Sequence, residues 1–140
     1  MTGTSEAVVL MAYGSPERLA DVPAYYAETS QLVAGQAGLG DGWSFSVQSE
    51  SPMGEPWLGT DILDHLAALN EQGVTDVPIC PAGFVSDHLE IRWDIDVDAQ
   101  ERAAQLGMRV DRIEMPNADP AFVATLAGIV RRSLGVPSRA

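Results

Sequence analysis

The sequence predicts a single α/β domain, residues 1–140, with a Rossmann-like sheet of about four parallel strands covered by helices on both faces. Strand-like and helix-like segments alternate along the chain as β-α-β-α-β-α-β-α, which favours parallel strands joined by crossover helices. The first strand-like run, AVVLMAY at residues 7–13, is apolar throughout, as in a strand buried on both faces. At 140 residues the chain has the length of one compact core.

Local signals place the elements of the first half. After the first strand, the chain from Glu17 favours a helix that Pro23 breaks or restarts, ending in a glycine-rich stretch. The second strand, WSFSVQSES, alternates polar and apolar residues. The second helix takes Thr60 as its N-cap and ends at Gly73.

The second half continues the alternation. VTDVPICPAGF predicts a third strand, and a third helix follows it, capped by Ser86 or Asp87 and ended by Gly107. MRVDRIEMP predicts a fourth strand. The last helix takes Asp119 as N-cap and Pro120 as its first residue.

Composition and charge exclude several classes of protein. The net charge of −12 and the pI near 4.2 repel phosphates, so we expect no nucleic-acid partner and favour cationic ones such as divalent metal ions. No segment approaches the roughly 18 apolar residues of a membrane span, and the first residues lack a secretory signal, so a cytoplasmic protein is expected. The single cysteine, Cys80, leaves no ligands for an iron–sulfur cluster within one chain.

The loop after the third strand is the main candidate site, because ligands of open α/β sheets bind beyond the carboxyl ends of the strands. It holds Ser86 and His88, and Glu90, Asp94 and Asp98 then recur at intervals of four along one helical face. Like charges at this spacing repel each other. Spacing alone leaves two interpretations, a solvated acidic face or a path for a hard cation that prefers oxygen ligands.

Other strand ends carry further candidates. Tyr13 ends the first strand, either as an axial metal ligand or as a ring packed at the sheet edge. Pro56 and Trp57 follow the second strand, either as a wall for a flat ligand or as an anchor for the loop. His65 lies among leucines of the second helix and is assigned no role.

Taken together, these stretches resemble the ferrochelatases, particularly the coproporphyrin III branch of Gram-positive bacteria. The resemblance lies in VLMAYGSPERLADVPAYY, SVQSESPMGEPWLGTDILDHLAAL, CPAGFVSDHLEIRWDIDVDAQ and EMPNADPAFVATLAGIV. Residues 1–26 resemble the amino terminus of the family, and residues 27–140 resemble its carboxyl-terminal half. A large internal section of full-length members is missing between them.

The resemblance implies a reaction and a role for each candidate. It implies insertion of ferrous iron, or of Zn²⁺ or another divalent ion, into coproporphyrin III or a related porphyrin during haem biosynthesis, with the metal as substrate and no cofactor required. Glu90 and Tyr13 would be catalytic, and Glu90, Asp94 and Asp98 would handle the metal on a helix widened toward a π-helix. The residues implied to contact the porphyrin are Tyr13, Pro56, Trp57, Ser86 and His88.

One departure separates the chain from the family. The family's metal-binding histidine lies in an AHS-like segment that is absent here, since the only histidines are His65 and His88. The length is that of one chelatase half, similar to the short cobalt chelatases that dimerise, so we hypothesise a homodimer with two Tyr13 and two Glu90 across one cleft. The alternative is an inactive, truncated or engineered half that only binds metal or tetrapyrrole or is structural.

Overall fold

A computed structural model describes residues 8–11, 21–49 and 59–135 of the chain. In this part of the chain four parallel strands form one sheet with the order β2-β1-β3-β4. The strands are β1 (Val8–Met11), β2 (Trp43–Ser46), β3 (Asp76–Cys80) and β4 (Arg109–Arg112). The predicted α/β class with a parallel sheet is confirmed.

Helices follow each strand. They are α1 (Val22–Ala37), α2 (Ile62–Glu71), α3 (Leu89–Trp93), α4 (Gln100–Leu106) and α5 (Pro120–Ser133). A π-helix, Asp94–Ala99, joins α3 to α4, and we call it the π segment. No helix among the described residues combines the length and apolarity needed to cross a membrane.

A helix does restart at Pro23 as predicted, because α1 begins at Val22. Pro23 lies in the first turn of α1, and the helix continues to Ala37 before Gly38 ends it with a φ of 69°. A first-turn residue has no intrahelical partner for its N–H, so proline costs nothing there and its fixed φ suits the helix. Residues 12–20, including the predicted start at Glu17, lie outside the described residues, so a break before α1 stays a prediction.

The helix caps follow the chemistry of aspartate. The N-cap of α2 is Asp61, not the predicted Thr60, and its carboxylate accepts a hydrogen bond of 2.9 Å from the N–H of Leu63. Asp119 caps α5 as predicted, accepting from the N–H groups of the second and third helical residues at 2.8 and 3.1 Å. Each cap satisfies amide groups that a helix start otherwise leaves without partners.

The main hydrophobic core lies between one face of the sheet and the helices α2, α3, α4 and the π segment. Val77 and Ile79 point to this face because side chains alternate along β3. Leu66, Ile91 and Ile95 are fully buried against them. Burying such a side chain stabilises the fold by about 1.5–3 kcal/mol, so this packing fixes the helical stretch that carries the acidic residues.

The other face is covered by α1 at the β1–β2 end of the sheet. Tyr26 stacks on Phe45 with ring centroids 6.3 Å apart, and Ser30 and Ala34 are buried on the same side of α1. In contrast, α5 has no buried residue. Its large exposed apolar residues are Val123, Leu126, Ile129 and Val130.

Candidate metal site

The site lies at the carboxyl ends of the parallel strands, where the open α/β fold predicts it. Gln48 and Ser49 follow β2, and the loop after β3 leads through His88 into α3. An isolated bridge between Val47 and Asp61 holds the end of β2 beside the start of α2. The fold therefore brings the residues after β2 next to the acidic helix after β3.

Glu90 and Asp94 are brought together by the same two neutral donors. Gln48 Nε2 donates to Asp94 Oδ2 at 3.1 Å and to Glu90 Oε1 at 3.4 Å. Ser49 Oγ contacts the same two oxygens, Glu90 Oε1 at 3.2 Å and Asp94 Oδ2 at a short distance. Two carboxylates therefore face the same two donors, and among the described residues only uncharged groups hold them there.

Asp98, one helical turn after Asp94, lines a cleft of about 550 Å³. We call Glu90, Asp94 and Asp98 the acidic line. The cleft is lined by Ser49, Asp94 and Asp98 together with Trp93 and the first residues of α2. In the described part of the chain, no three histidine, cysteine, aspartate or glutamate side chains converge as a ready metal site. The three carboxylates thus lie one after another along the helix, with Glu90 and Asp94 as the close pair.

The π segment sets the direction of this line. A spacing of four residues overshoots one turn of an α-helix, at about 3.6 residues. It does not overshoot the wider turn of a π-helix, whose hydrogen bonds span five residues. From Glu90 to Asp94 the side chain rotates slightly past one full turn around the helix axis, and the wider π-helical turn stops this rotation from growing further at Asp98. All three carboxylates therefore lie on one side of the helix. The widening implied by the family resemblance is confirmed at Asp94–Ala99.

Burial and repulsion act on Asp94. Its pKa is raised, first by burial and then by the negative charges of Glu90 and Asp98. The hydrogen bonds from Ser49 and Gln48 oppose this shift. An anionic Asp94 is thus costly in the absence of a cation, and a bound cation would relieve that cost.

The opposite side of the same helix has a different electrostatic environment. Arg112 from β4 holds Asp96 with two hydrogen bonds, from Nε at 2.7 Å and from Nη2 at 2.9 Å. It also pairs with Asp87 Oδ1 at 2.9 Å. The hydrogen bond to Asp96 is the largest cause of the raised pKa of Arg112. Asp96 is therefore neutralised within the chain and belongs to the framework of the site.

Asp87 takes part in this framework and does not cap the helix as predicted. A hydrogen bond from Asn117 Nδ2 is the largest cause of its lowered pKa, followed by the charges of Arg112 and Arg92. Asn117 also accepts from the N–H of Asp87 at 2.9 Å. The N-cap position of α3 is His88, and neither it nor Ser86 supplies a side-chain cap.

The remaining predicted residues divide into those described and those outside the described part. The ring of His88 lies 4.3 Å from that of Phe84, and its buried Nε2 has no hydrogen-bond partner among the described residues. Ser86 is exposed. Tyr13, Pro56 and Trp57 lie outside the described residues, so their roles stay predictions.

His65 and Cys80 are partly buried and lie apart from the carboxylates of the site. His65 Nε2 lies 2.8 Å from Ser44 Oγ, which links α2 to β2, and burial lowers the pKa of the imidazole. Burial raises the pKa of the Cys80 thiol, which disfavours the reactive thiolate. Neither side chain contacts the acidic line.

Four neighbours of the site were missed from the sequence. Gln48 and Ser49 stand at the end of a predicted strand, so the rule that pointed to the loop after β3 also pointed to them. Trp93 is 57% exposed and Leu89 is 80% exposed, although large apolar side chains at a helical spacing of four usually face a core. Their exposure beside Glu90 and Asp94 is visible only in the structure.

The fold and this site define an α/β protein whose carboxylates line a cleft at the carboxyl edge of a parallel sheet. The family model described as Ferrochelatase matches residues 25–134 of the chain. The chain therefore belongs to the ferrochelatase family.

Curated relatives agree with this assignment. The chain is 48% identical over 130 residues to a ferrochelatase of Deinococcus radiodurans, covering 89% of this chain and 41% of that protein. It is 38% identical over 135 residues to the coproporphyrin III ferrochelatase of Halalkalibacterium halodurans, covering 91% and 42%. For the enzyme of the same name from Nocardia farcinica the identity is 41% over 108 residues, covering 77% and 31%. The chain thus spans about two fifths or less of the length of these relatives.

Proposed function

We propose that the chain carries the metal-handling part of a ferrochelatase and inserts a divalent metal ion, ferrous iron first, into coproporphyrin III or a related porphyrin. The observation that carries this proposal is the pairing of Glu90 with Asp94, with Asp98 next along the π segment. The names of the Halalkalibacterium and Nocardia relatives support coproporphyrin III as the porphyrin.

Metal insertion needs a place for protons as well as a place for the metal. A divalent cation replaces the two N–H protons of a free porphyrin, so two protons leave for each cation inserted. Glu90 is the proposed base, since it stands at the start of the line, and Asp94 is the proposed acceptor beside it. The burial and negative surroundings that raise the pKa of Asp94 also favour its holding a proton. Asp98 would deliver the next cation from the cleft.

Exposed apolar side chains support a flat, apolar substrate at this edge of the sheet. Leu89 and Trp93 alternate with Glu90 and Asp94 along the helix and remain open to solvent. Large exposed apolar surface next to polar groups is typical of binding sites, and an indole ring packs well on an aromatic face. We propose that these two residues contact the porphyrin while the carboxylates address its centre.

A single chain supplies one wall of the proposed cleft. We propose that two copies face each other, each supplying Tyr13 and Glu90, so that the homodimer encloses the porphyrin. A second candidate function is a module that binds metal or tetrapyrrole without inserting one into the other. The pairing of Glu90 with Asp94 supports this candidate as well, since two adjacent carboxylates account for cation binding without insertion.

An insertion assay separates the two functions. Purified chain is mixed with coproporphyrin III and either Fe²⁺ under anaerobic conditions or Zn²⁺, and the absorbance change of the metalated porphyrin is followed. We expect a rate above the uncatalysed background that falls at least 100-fold for Glu90→Gln, as expected for loss of a general base. The matched control, Glu71→Gln at the exposed end of α2, should keep the full rate.

The outcomes decide between the candidates. A background rate for the unaltered chain, together with cation binding that Asp94→Asn weakens, would replace the enzyme by the binding module. A dimer seen by light scattering on a sizing column would support the shared cleft, and a monomer at tens of micromolar would overturn it.

A further inference from the structure

The side chain of Gln48 is buried against the paired carboxylates, yet half of its hydrogen-bonding capacity is unused. Only 7% of the residue is exposed, and its Nε2 faces Glu90 and Asp94. Its Oε1 is buried and has no partner among the described residues. A buried carbonyl oxygen without a donor is unfavourable, so the amide in its cation-free orientation leaves one of its polar atoms unsatisfied.

The donors that face the two carboxylates are also too few. Four contacts join Gln48 Nε2 and Ser49 Oγ to the oxygens Glu90 Oε1 and Asp94 Oδ2. An amide nitrogen carries two hydrogens and a hydroxyl carries one, so three hydrogens serve four contacts. One of the four contacts therefore has no hydrogen of its own, and the negative charge of the two carboxylates is not balanced by a cationic group among the described residues.

We propose that Gln48 is a ligand of the divalent cation and that its amide reverses when the cation binds. In the cation-free site Nε2 donates to both carboxylates. When a cation lies between Glu90 and Asp94, a half-turn about the last side-chain bond replaces Nε2 by Oε1 and directs the amide oxygen at the metal. This inference rests on the proposed function, because it takes the pair of carboxylates as a binding site for the substrate metal.

The resulting ligand set consists of oxygen atoms only. Two carboxylates, an amide oxygen and the Ser49 hydroxyl are ligands of the kind that hard divalent cations accept. A neutral amide adds a ligand without adding negative charge. The cation is therefore better coordinated but not bound so tightly that it cannot leave. Such a site suits a metal that is held briefly and passed on to nitrogen ligands of a porphyrin.

Replacing Gln48 by leucine tests whether its amide strengthens or weakens the binding of the cation. If Gln48 coordinates the metal, Gln48→Leu weakens cation binding about tenfold or more, since even partners one step removed from a metal change its affinity by 10–100-fold. If Gln48 only donates N–H bonds, these hydrogens compete with the cation, and the same substitution leaves the affinity unchanged or raises it. The measurement is titration calorimetry of the full chain with Mn²⁺.

Two further variants complete the experiment. Gln72→Leu is the matched control, because Gln72 is exposed and its amide donates to Ala68 O in the same helical stretch. The affinity of this variant should equal that of the unaltered chain. Gln48→Glu keeps an oxygen ligand and should bind Mn²⁺ at least as tightly as the unaltered chain, which also serves if Gln48→Leu does not fold. Weaker binding by Gln48→Glu would overturn the proposal.

The variant Asp94→Asn distinguishes a failure of this inference from a failure of the proposed function on which it rests. If Asp94→Asn weakens Mn²⁺ binding but Gln48→Leu does not, Gln48 is not a ligand and the carboxylate site stands. If neither substitution changes the affinity, the metal site itself is wrong and the inference falls with it.

Discussion

The two sides of one helical stretch, from Leu89 through the π segment, show how carboxylate side chains acquire different roles. On one side Asp96 is held bidentately by Arg112, which comes from β4. On the other side the carboxylates of Glu90 and Asp94 receive hydrogen bonds only from Gln48 and Ser49 in the described part of the chain. A carboxylate paired with an arginine is structural, whereas carboxylates held by neutral donors keep their charge available to a cation.

Removing the arginine should produce the largest loss of stability. Arg112→Ala leaves Asp96 without its partner and removes a side chain that is mostly covered, so we expect about 2 kcal/mol lower free energy of unfolding after allowing for solvent screening. Urea denaturation measures the change. Arg102→Ala, on α4 with one long contact to Gln105, should change stability by less than about 0.5 kcal/mol. Equal effects of the two substitutions would mean that the Arg112 network is not structural.

Two isosteric substitutions two residues apart test the comparison more finely. Asp96→Asn removes the charge partner of Arg112 and should lower the free energy of unfolding by about 1 kcal/mol. Asp94→Asn removes a charge that its surroundings disfavour and should raise the cation-free value at pH 7 by about 0.5 kcal/mol. The two changes therefore have opposite signs.

The pH dependence gives the same test a second form. The folded pKa of Asp94 is raised, so its ionised form destabilises the folded state at pH values above that pKa. This penalty disappears as the pH falls through the raised pKa toward the ordinary value of about 4. The advantage of Asp94→Asn should therefore shrink between pH 7 and pH 4 in urea denaturation. An advantage that stays constant over this range would contradict the assigned cause.

The order of strands and helices was predictable because hydrophobic pattern and turn residues are local signals. The acidic line was predictable too, because Glu90, Asp94 and Asp98 share one helix. Gln48 could not be paired with that helix in advance, since it comes close only through the order of strands in the sheet. The same holds for Asp87, whose predicted cap was lost to Asn117, 30 residues away.

The sequence also could not separate Asp94 from Asp96. Both lie in the run DIDVD with similar neighbours. In an α-helix or a π-helix, their side chains lie on different sides. Their roles depend on which side meets Arg112 and which side meets Gln48, and that depends on the packing of Ile91 and Ile95 into the core. Tertiary contacts therefore decide which carboxylates remain available for a cation.

The most direct test of the central claim is calorimetric binding of a divalent cation to the unaltered chain, to Asp94→Asn with Asp98→Asn, and to Asp96→Asn. All three proteins are titrated with Mn²⁺ at pH 7 and low ionic strength. The double substitution should weaken binding at least tenfold, because it removes two oxygen ligands from the line, while Asp96→Asn should leave the affinity within about twofold. Unchanged binding by the double variant, or an equal loss in Asp96→Asn, would contradict the division of the helix into a structural side and a metal-handling side.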